Sequence, residues 1–122
     1  MNMDRHIKRG EVYVADLSPV VGSEQGGIRP VIVLQNDMGN EHSPTTIVAA
    51  ITSSVDKSRL PTHIEIECEG LNKRSIVLLE QIKTIDKIRL REKLGFVGKE
   101  IMGRIDYAII KSLGVKPMEK LL

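Results

Sequence analysis

Thr46-Ile47-Val48-Ala49-Ala50-Ile51-Thr52 is a run of β-branched and small residues, and its alternate positions are apolar on both sides: Ile47, Ala49 and Ile51 oppose Val48 and Ala50. Residues 30–36 repeat the pattern, with Val31 and Val33 on one face and Ile32 and Leu34 on the other. A strand that is apolar on both faces must be covered on both. A small barrel covers one face with its own core, and something else must cover the second. Working outward, further short strands are expected at Glu11–Asp16, 63–67 and 75–79. Turn-rich segments at 17–28, 36–44, 53–61 and 68–74 separate them. Short strands in this rhythm point to a small β-barrel rather than a parallel α/β sheet.

The period changes in the last third. From Lys99 to Leu113 the apolar residues Ile101, Met102, Ile105, Ala108, Ile109 and Leu113 fall on one helical stripe, with Gly114 placed as a C-terminal cap and Pro117 barring continuation. This helix can cover part of the second apolar face. The surplus is weak support for a partner subunit. Segment 82–94 reads as a strand over 82–88 followed by a short helical turn over 89–94.

At 122 residues and 41% hydrophobic content the chain is expected to form a single domain, 1–122, with a real core. Its apolar runs are too short to span a bilayer, and residues 1–10 are too polar for a signal peptide, so no membrane association and a cytoplasmic location are expected. A single cysteine, Cys68, fits a reducing compartment. His6, His42 and His63 are scattered without ligand spacing, so neither a metal site nor a cofactor is expected. Net charge is only +2, but residues 83–104 carry seven basic side chains against three acidic ones, a stretch that could attract phosphates or present an ordinary solvated face. Tyr13, Phe96 and Tyr107 are the only aromatics, which argues against binding single strands by stacked aromatic platforms.

The sharpest local feature is Gly22-Ser23-Glu24-Gln25-Gly26-Gly27-Ile28-Arg29-Pro30, a long polar loop between two strands. Its glycines free the backbone for close approach to a ligand. Arg29, at the start of a strand, offers a rigid guanidinium fork for a phosphate. The same spacing also suits a plain hairpin with a Glu24–Arg29 surface pair. Thr52 ends a strand, where its hydroxyl could donate to a phosphate oxygen, a weak signal by itself. No nucleophile–base pair, P-loop or nucleotide fingerprint stands out.

Lys8-Arg9-Gly10-Glu11-Val12-Tyr13, Asp16-Leu17-Ser18-Pro19-Val20-Val21-Gly22-Ser23-Glu24-Gln25-Gly26-Gly27 and Arg29-Pro30 together resemble the MazF/PemK family of toxin endoribonucleases, its Gram-positive branch in particular. The likeness continues through Gln35-Asn36-Asp37, Ser43-Pro44-Thr45 and 47–52, then Leu60-Pro61-Thr62-His63 and 79–86, and so covers nearly all of 8–86. It implies an SH3-like barrel, mainly β with a C-terminal helix, of the CcdB/PemK type. It further implies a homodimer, metal-independent and sequence-specific cleavage of single-stranded RNA such as mRNA, and inhibition by an acidic MazE-like antitoxin. Carried over position by position, Arg29 and Thr52 are catalytic and Glu24 is a loop acid implicated in some members. Loop 68–74 looks shortened against close relatives, so RNA contacts there do not carry over.

Metal-free RNA cleavage uses the substrate's own 2′-hydroxyl as nucleophile and leaves a 2′,3′-cyclic phosphate and a 5′-hydroxyl. Arg29 suits charge stabilisation and Thr52 the holding of a non-bridging oxygen. Arginine is an awkward base, its pKa lying above about 12, so the base stays open with Glu24 as one candidate. Ser23, Gln25, Asn36, Ser54 and Gln81 are candidates to read base edges, and Arg9 to touch the RNA backbone. Two other readings stand beside the ribonuclease. One is a CcdB-like poison of a protein target, although the C-terminal tryptophan feature of such toxins is missing. The other is a non-catalytic RNA-binding module.

Overall fold

The structure, a computed structural model, describes residues 6–54, 60–116 and 118. In chain order it contains β1 (Glu11–Asp16), β2 (Ile28–Val33), α1 (Asp37–His42), β3 (Thr45–Thr52), β4 (His63–Ile66), β5 (Ser75–Asp86), a 3-10 turn (Lys87–Arg89), β6 (Leu90–Phe96) and α2 (Lys99–Leu113). The strands form one antiparallel sheet in the order β4-β5-β3-β2-β1-β6.

The bend of this sheet is set in β5. Residues 45–49 of β3 pair with 82–86 of β5, and residues 50–52 with 76–78. Between them the register jumps, so Leu79, Glu80 and Gln81 face no residue of β3. The two backbone groups of Leu79 bond elsewhere. Leu79 N–H donates to the Thr62 carbonyl at 2.9 Å, and the Ser112 hydroxyl of α2 donates to the Leu79 carbonyl at 2.6 Å. A bulge of this kind bends a strand and re-aims its side chains. It lets one long strand pair with β4 over its first half and turn the barrel's corner over its second.

The ladder does not run from β6 back to β4, so the expected barrel is completed by packing instead. The loop after β4 lies on β6 so closely that a Cβ at Gly70 would stand 2.3 Å from the Leu94 carbonyl oxygen, and one at Gly95 would stand 2.7 Å from the Cys68 sulfur. No side chain fits between them.

Two cores follow from the two apolar faces. One gathers Val12, Ile32, Ala49, Ile51, Val77 and Leu79 under Ile105 and Ala108 of α2. The other gathers Val31, Val33, Val48 and Ala50 with Ile7, Leu17, Ile85 and Leu90. The chain therefore covers both faces itself, through its N-terminal segment, the bent end of β5 and the start of β6. The two apolar faces of 31–34 and 47–51 thus do not by themselves call for a partner subunit.

Elsewhere the sequence reading and the structure differ in detail. β5 extends through Asp86, and residues 90–96 form a strand rather than a helical turn. The turn sits earlier, at Lys87–Arg89, where the Asp86 carboxylate accepts the Ile88 N–H at 2.9 Å. β6 pairs with β1 through two register shifts, and these break the alternation that marks a strand. α1 lies in a segment read as turn; the Asn36 side chain caps it by accepting the Gly39 N–H at 2.7 Å. α2 has the expected bounds and ends on Gly114 at φ 68°, whose N–H donates to the Ile110 carbonyl. Leu113, assigned to its buried stripe, is exposed. Pro117 lies outside the described residues.

Candidate active site

Arg29 and Thr52 are brought together by strand register. β2 and β3 pair Val31 with Ala50. Two residues further on, where the ladder has ended, Arg29 and Thr52 take facing positions at the strand ends. The glycines of the loop before β2 shape the Arg29 side. Gly27 has φ 73°, and a Cβ on Gly26 would meet Val20 at 2.3 Å. Leu17 N–H closes the loop on the Gly27 carbonyl at 2.9 Å, and the Gly26 carbonyl accepts the Arg29 Nε–H at 2.8 Å. That bond fixes the plane of the guanidinium, and no other described group takes its terminal nitrogens. Across from it, the buried Thr52 hydroxyl accepts the Ser54 N–H at 3.2 Å and retains its own proton to donate. Both residues line an open cleft of about 630 Å³ together with Ser53, Ser54, Asn72 and Lys73. The sequence reading named Ser54 but passed over Asn72 and Lys73, which belong to the loop 68–74 whose contacts it did not carry over.

Glu24 is not part of that cleft. With Gln25, Glu80, Gln81 and Lys83 it lines a separate pocket of about 380 Å³, floored by Leu17, Val48, Ala50 and Ile82. One Glu24 oxygen accepts the Val21 N–H at 3.1 Å. Gln25 N–H donates to Gln81 Oε1 at 3.3 Å, so two of the expected base-reading residues do meet. Ser23 is exposed on the same loop. Glu80, missed in the sequence, accepts from the Thr62 hydroxyl at 2.9 Å and from His63 Nε2 at 2.8 Å. Burial raises the pKa of its carboxyl, but the His63 bond, its own backbone N–H and Thr62 outweigh this and hold it below the usual value. Among the described residues no three His, Cys, Asp or Glu side chains converge as a metal site requires.

Two expected RNA contacts lie at the other end of β2. Asn36 spends its side-chain oxygen on the α1 cap. Arg9 donates from Nε to the Leu34 carbonyl at 2.7 Å and from Nη2 to Asp106 of α2 at 2.5 Å, while its backbone N–H binds Asp37 at 2.7 Å. Both are structural ties, remote along the strand from Arg29. Six of the seven basic side chains of 83–104 are likewise engaged locally. Lys93 and Arg91 pair with Glu11 and Asp16, and Arg104 pairs with Glu100. Lys83, Lys87 and Arg89 donate to the carbonyls of Leu17, Asn40 and Asp16. The segment fastens β5 and β6 to the rest of the barrel rather than forming an open phosphate track.

The fold therefore sets an arginine and a threonine facing each other across adjacent strand ends of a bent antiparallel sheet. Residues 8–113 match the family of PemK-like, MazF-like toxins of type II toxin–antitoxin systems, and the chain belongs to that family. Over 111 residues it is 58% identical to the Endoribonuclease MazF of Staphylococcus epidermidis, covering 89% of this chain and 92% of that one. The crystal structure of MazF from Deinococcus radiodurans superposes with a TM-score of 0.79 at 22% identity, over 92% of this chain and all of that one. A mycobacterial endoribonuclease solved in complex with its cognate antitoxin gives 0.76 at 25% identity, over 92% and 99% of the two chains. Among the described residues no helix is long and apolar enough to cross a membrane.

Proposed function

We infer that this chain is the toxin endoribonuclease of a type II toxin–antitoxin pair, cutting single-stranded RNA such as mRNA without a metal ion. The observation that carries the reading is the meeting of Arg29 and Thr52 in one open cleft. The 58% identity to an endoribonuclease supports the reaction class. The substrate's 2′-hydroxyl attacks the adjacent phosphorus, the bond to the 5′-oxygen breaks, and a 2′,3′-cyclic phosphate and a 5′-hydroxyl result. The Arg29 terminal nitrogens stabilise the charge gathering on the phosphorane, and the Thr52 hydroxyl holds a non-bridging oxygen. Ser54 lines the path of the strand beside them. Glu24, set in the second pocket, is better placed to meet a base with Gln25 and Gln81 than to take the 2′ proton. The chain acts as one cytoplasmic domain, working as a homodimer and silenced by an acidic, MazE-like antitoxin. Family membership and the solved complexes of relatives support the last two points; the apolar strand faces do not.

The decisive experiment incubates purified protein with a long single-stranded RNA in excess EDTA and maps the ends. Cuts that persist and carry 5′-hydroxyls are expected, and a 2′-deoxy substitution at the cut site should block them. Cleavage that needs added magnesium, or 5′-phosphate ends, would overturn this mechanism.

A further inference from the structure

The pocket beside the cleft has a feature that the cleavage chemistry does not use. Glu80 and Gln81 lie in the β5 bulge, so they are freed from the β3 ladder and turned toward a hollow with an apolar floor. Its volume, about 380 Å³, is within the range of about 300–1,000 Å³ found for small-ligand sites. Glu80 is not left to swing as a surface glutamate would. Thr62 holds one of its oxygens and His63 the other. The His63 side chain is 5% exposed, and its Nδ1 accepts the Leu60 N–H at 3.2 Å. With Nδ1 accepting, the ring proton sits on Nε2 and is donated to Glu80. A carboxylate has about four lone-pair directions; His63, Thr62 and the Glu80 N–H take three, and one acceptor position is left to offer. Gln81, whose Oε1 is taken by the Gln25 N–H, has its amide N–H donors left to offer. An acceptor and a donor on neighbouring residues match the edge of a nucleobase that carries an N–H beside a carbonyl or ring nitrogen.

We propose that Glu80, clamped by the positioning residues His63 and Thr62, reads one splayed nucleobase of the substrate RNA and so sets one position of the cleavage motif. This rests on the ribonuclease reading above, and it adds a residue whose role is selection of sequence rather than chemistry at phosphorus. It also accounts for a nearly buried histidine outside the Arg29–Thr52 cleft.

The test sequences the 5′-hydroxyl ends produced from a long RNA containing a randomised region. It compares the wild type with Glu80→Gln, His63→Ala and His63→Gln. Glu80→Gln replaces a pure acceptor with a mixed donor and acceptor on a half-exposed side chain, so the fold should survive. The variant should still cut, with the preference at one motif position changed by about tenfold, roughly the discrimination of one good base contact. His63→Ala should blur that same position and raise KM more than it lowers kcat. His63→Gln, which keeps a side-chain donor, should restore part of the preference. An unchanged cut motif in an active Glu80→Gln protein would overturn the assignment while leaving the ribonuclease intact. A His63→Ala protein that loses kcat with its motif unaltered would reduce His63 to a structural residue. A wild type that cuts no RNA would instead defeat the ribonuclease reading, and this proposal with it.

Discussion

Two arginines mark the two ends of β2. Arg29 opens the strand, and Arg9 is fastened to the carbonyl of Leu34 just beyond its close. Both are half-buried and both follow or precede glycine-bearing turns, so composition and exposure do not separate them. Their partners do. Arg9 is bound through Nε and Nη2 to a carbonyl and a carboxylate, which ties β2 to α2. Arg29 commits only Nε, to a carbonyl of its own loop, and keeps the end of its fork for a ligand. What distinguishes the two guanidinium groups is therefore their remaining hydrogen-bonding capacity rather than their accessibility.

Substitutions can break this contrast. Arg29→Ala should lower cleavage by about a hundredfold or more, the scale of losing one preorganised transition-state donor, with an unchanged melting temperature. Cleavage at the wild-type rate by a folded variant would dismiss the site. Arg29→Lys should recover only part of the loss, because an ammonium lacks the planar fork. Thr52→Ala should cost somewhat less, between about tenfold and a hundredfold in kcat, since it removes one hydroxyl from a cleft that keeps its cation. Arg9→Ala should show the opposite signature: destabilisation of about 1 kcal/mol in denaturant unfolding, with cleavage within a few-fold of wild type. A large loss of activity in a stable Arg9→Ala protein would return Arg9 to the substrate.

The smallest effect is one of pH, and it belongs to the structural end. Burial of Glu11 would raise its pKa, but Lys93, the Lys8 N–H and the Tyr13 hydroxyl together hold it below the ordinary 4.5. A carboxyl whose folded pKa is depressed stabilises the fold above its unfolded value, and that contribution is lost as pH falls through the folded value. Unfolding measured from pH 7 downward should therefore show stability declining below about 4.5. Glu11→Gln should flatten that decline and start from a lower plateau. Cleavage rates, corrected for the folded fraction, should not follow it.

Much of this was legible in the sequence because it is local. The alternation of Glu11–Asp16 and the stripe and glycine cap of Lys99–Leu113 are written in residues a few positions apart. Arg29 and Thr52 needed more: each alone is an ordinary loop-end residue, and the family resemblance joined them before the register did. What stayed hidden depends on long-range pairing. The β5 bulge exists because β3 meets the strand's two halves in different registers, and nothing in residues 75–86 alone announces it. Glu80 and His63, 17 positions apart, become neighbours only through the β4–β5 pairing. The ties of Arg9 to Leu34 and Asp106 are hidden in the same way, since those partners lie far along the chain. The basic stretch left two readings open, because the carbonyls and the acids Glu11 and Asp16 that engage it lie elsewhere in the chain.

The glycine seam has a consequence for life before and beside the folded state. A sheet that ends in β4 and β6 carries two edges, and an exposed edge is a template for another chain. Here the segment that follows one edge lies on the other, pressed close enough at Gly70 and Gly95 to exclude any side chain. At that seam the β6 edge is covered by the backbone of the neighbouring loop. Bulk introduced at either glycine would first be felt as lost solubility during synthesis, well before any change in how RNA is cut.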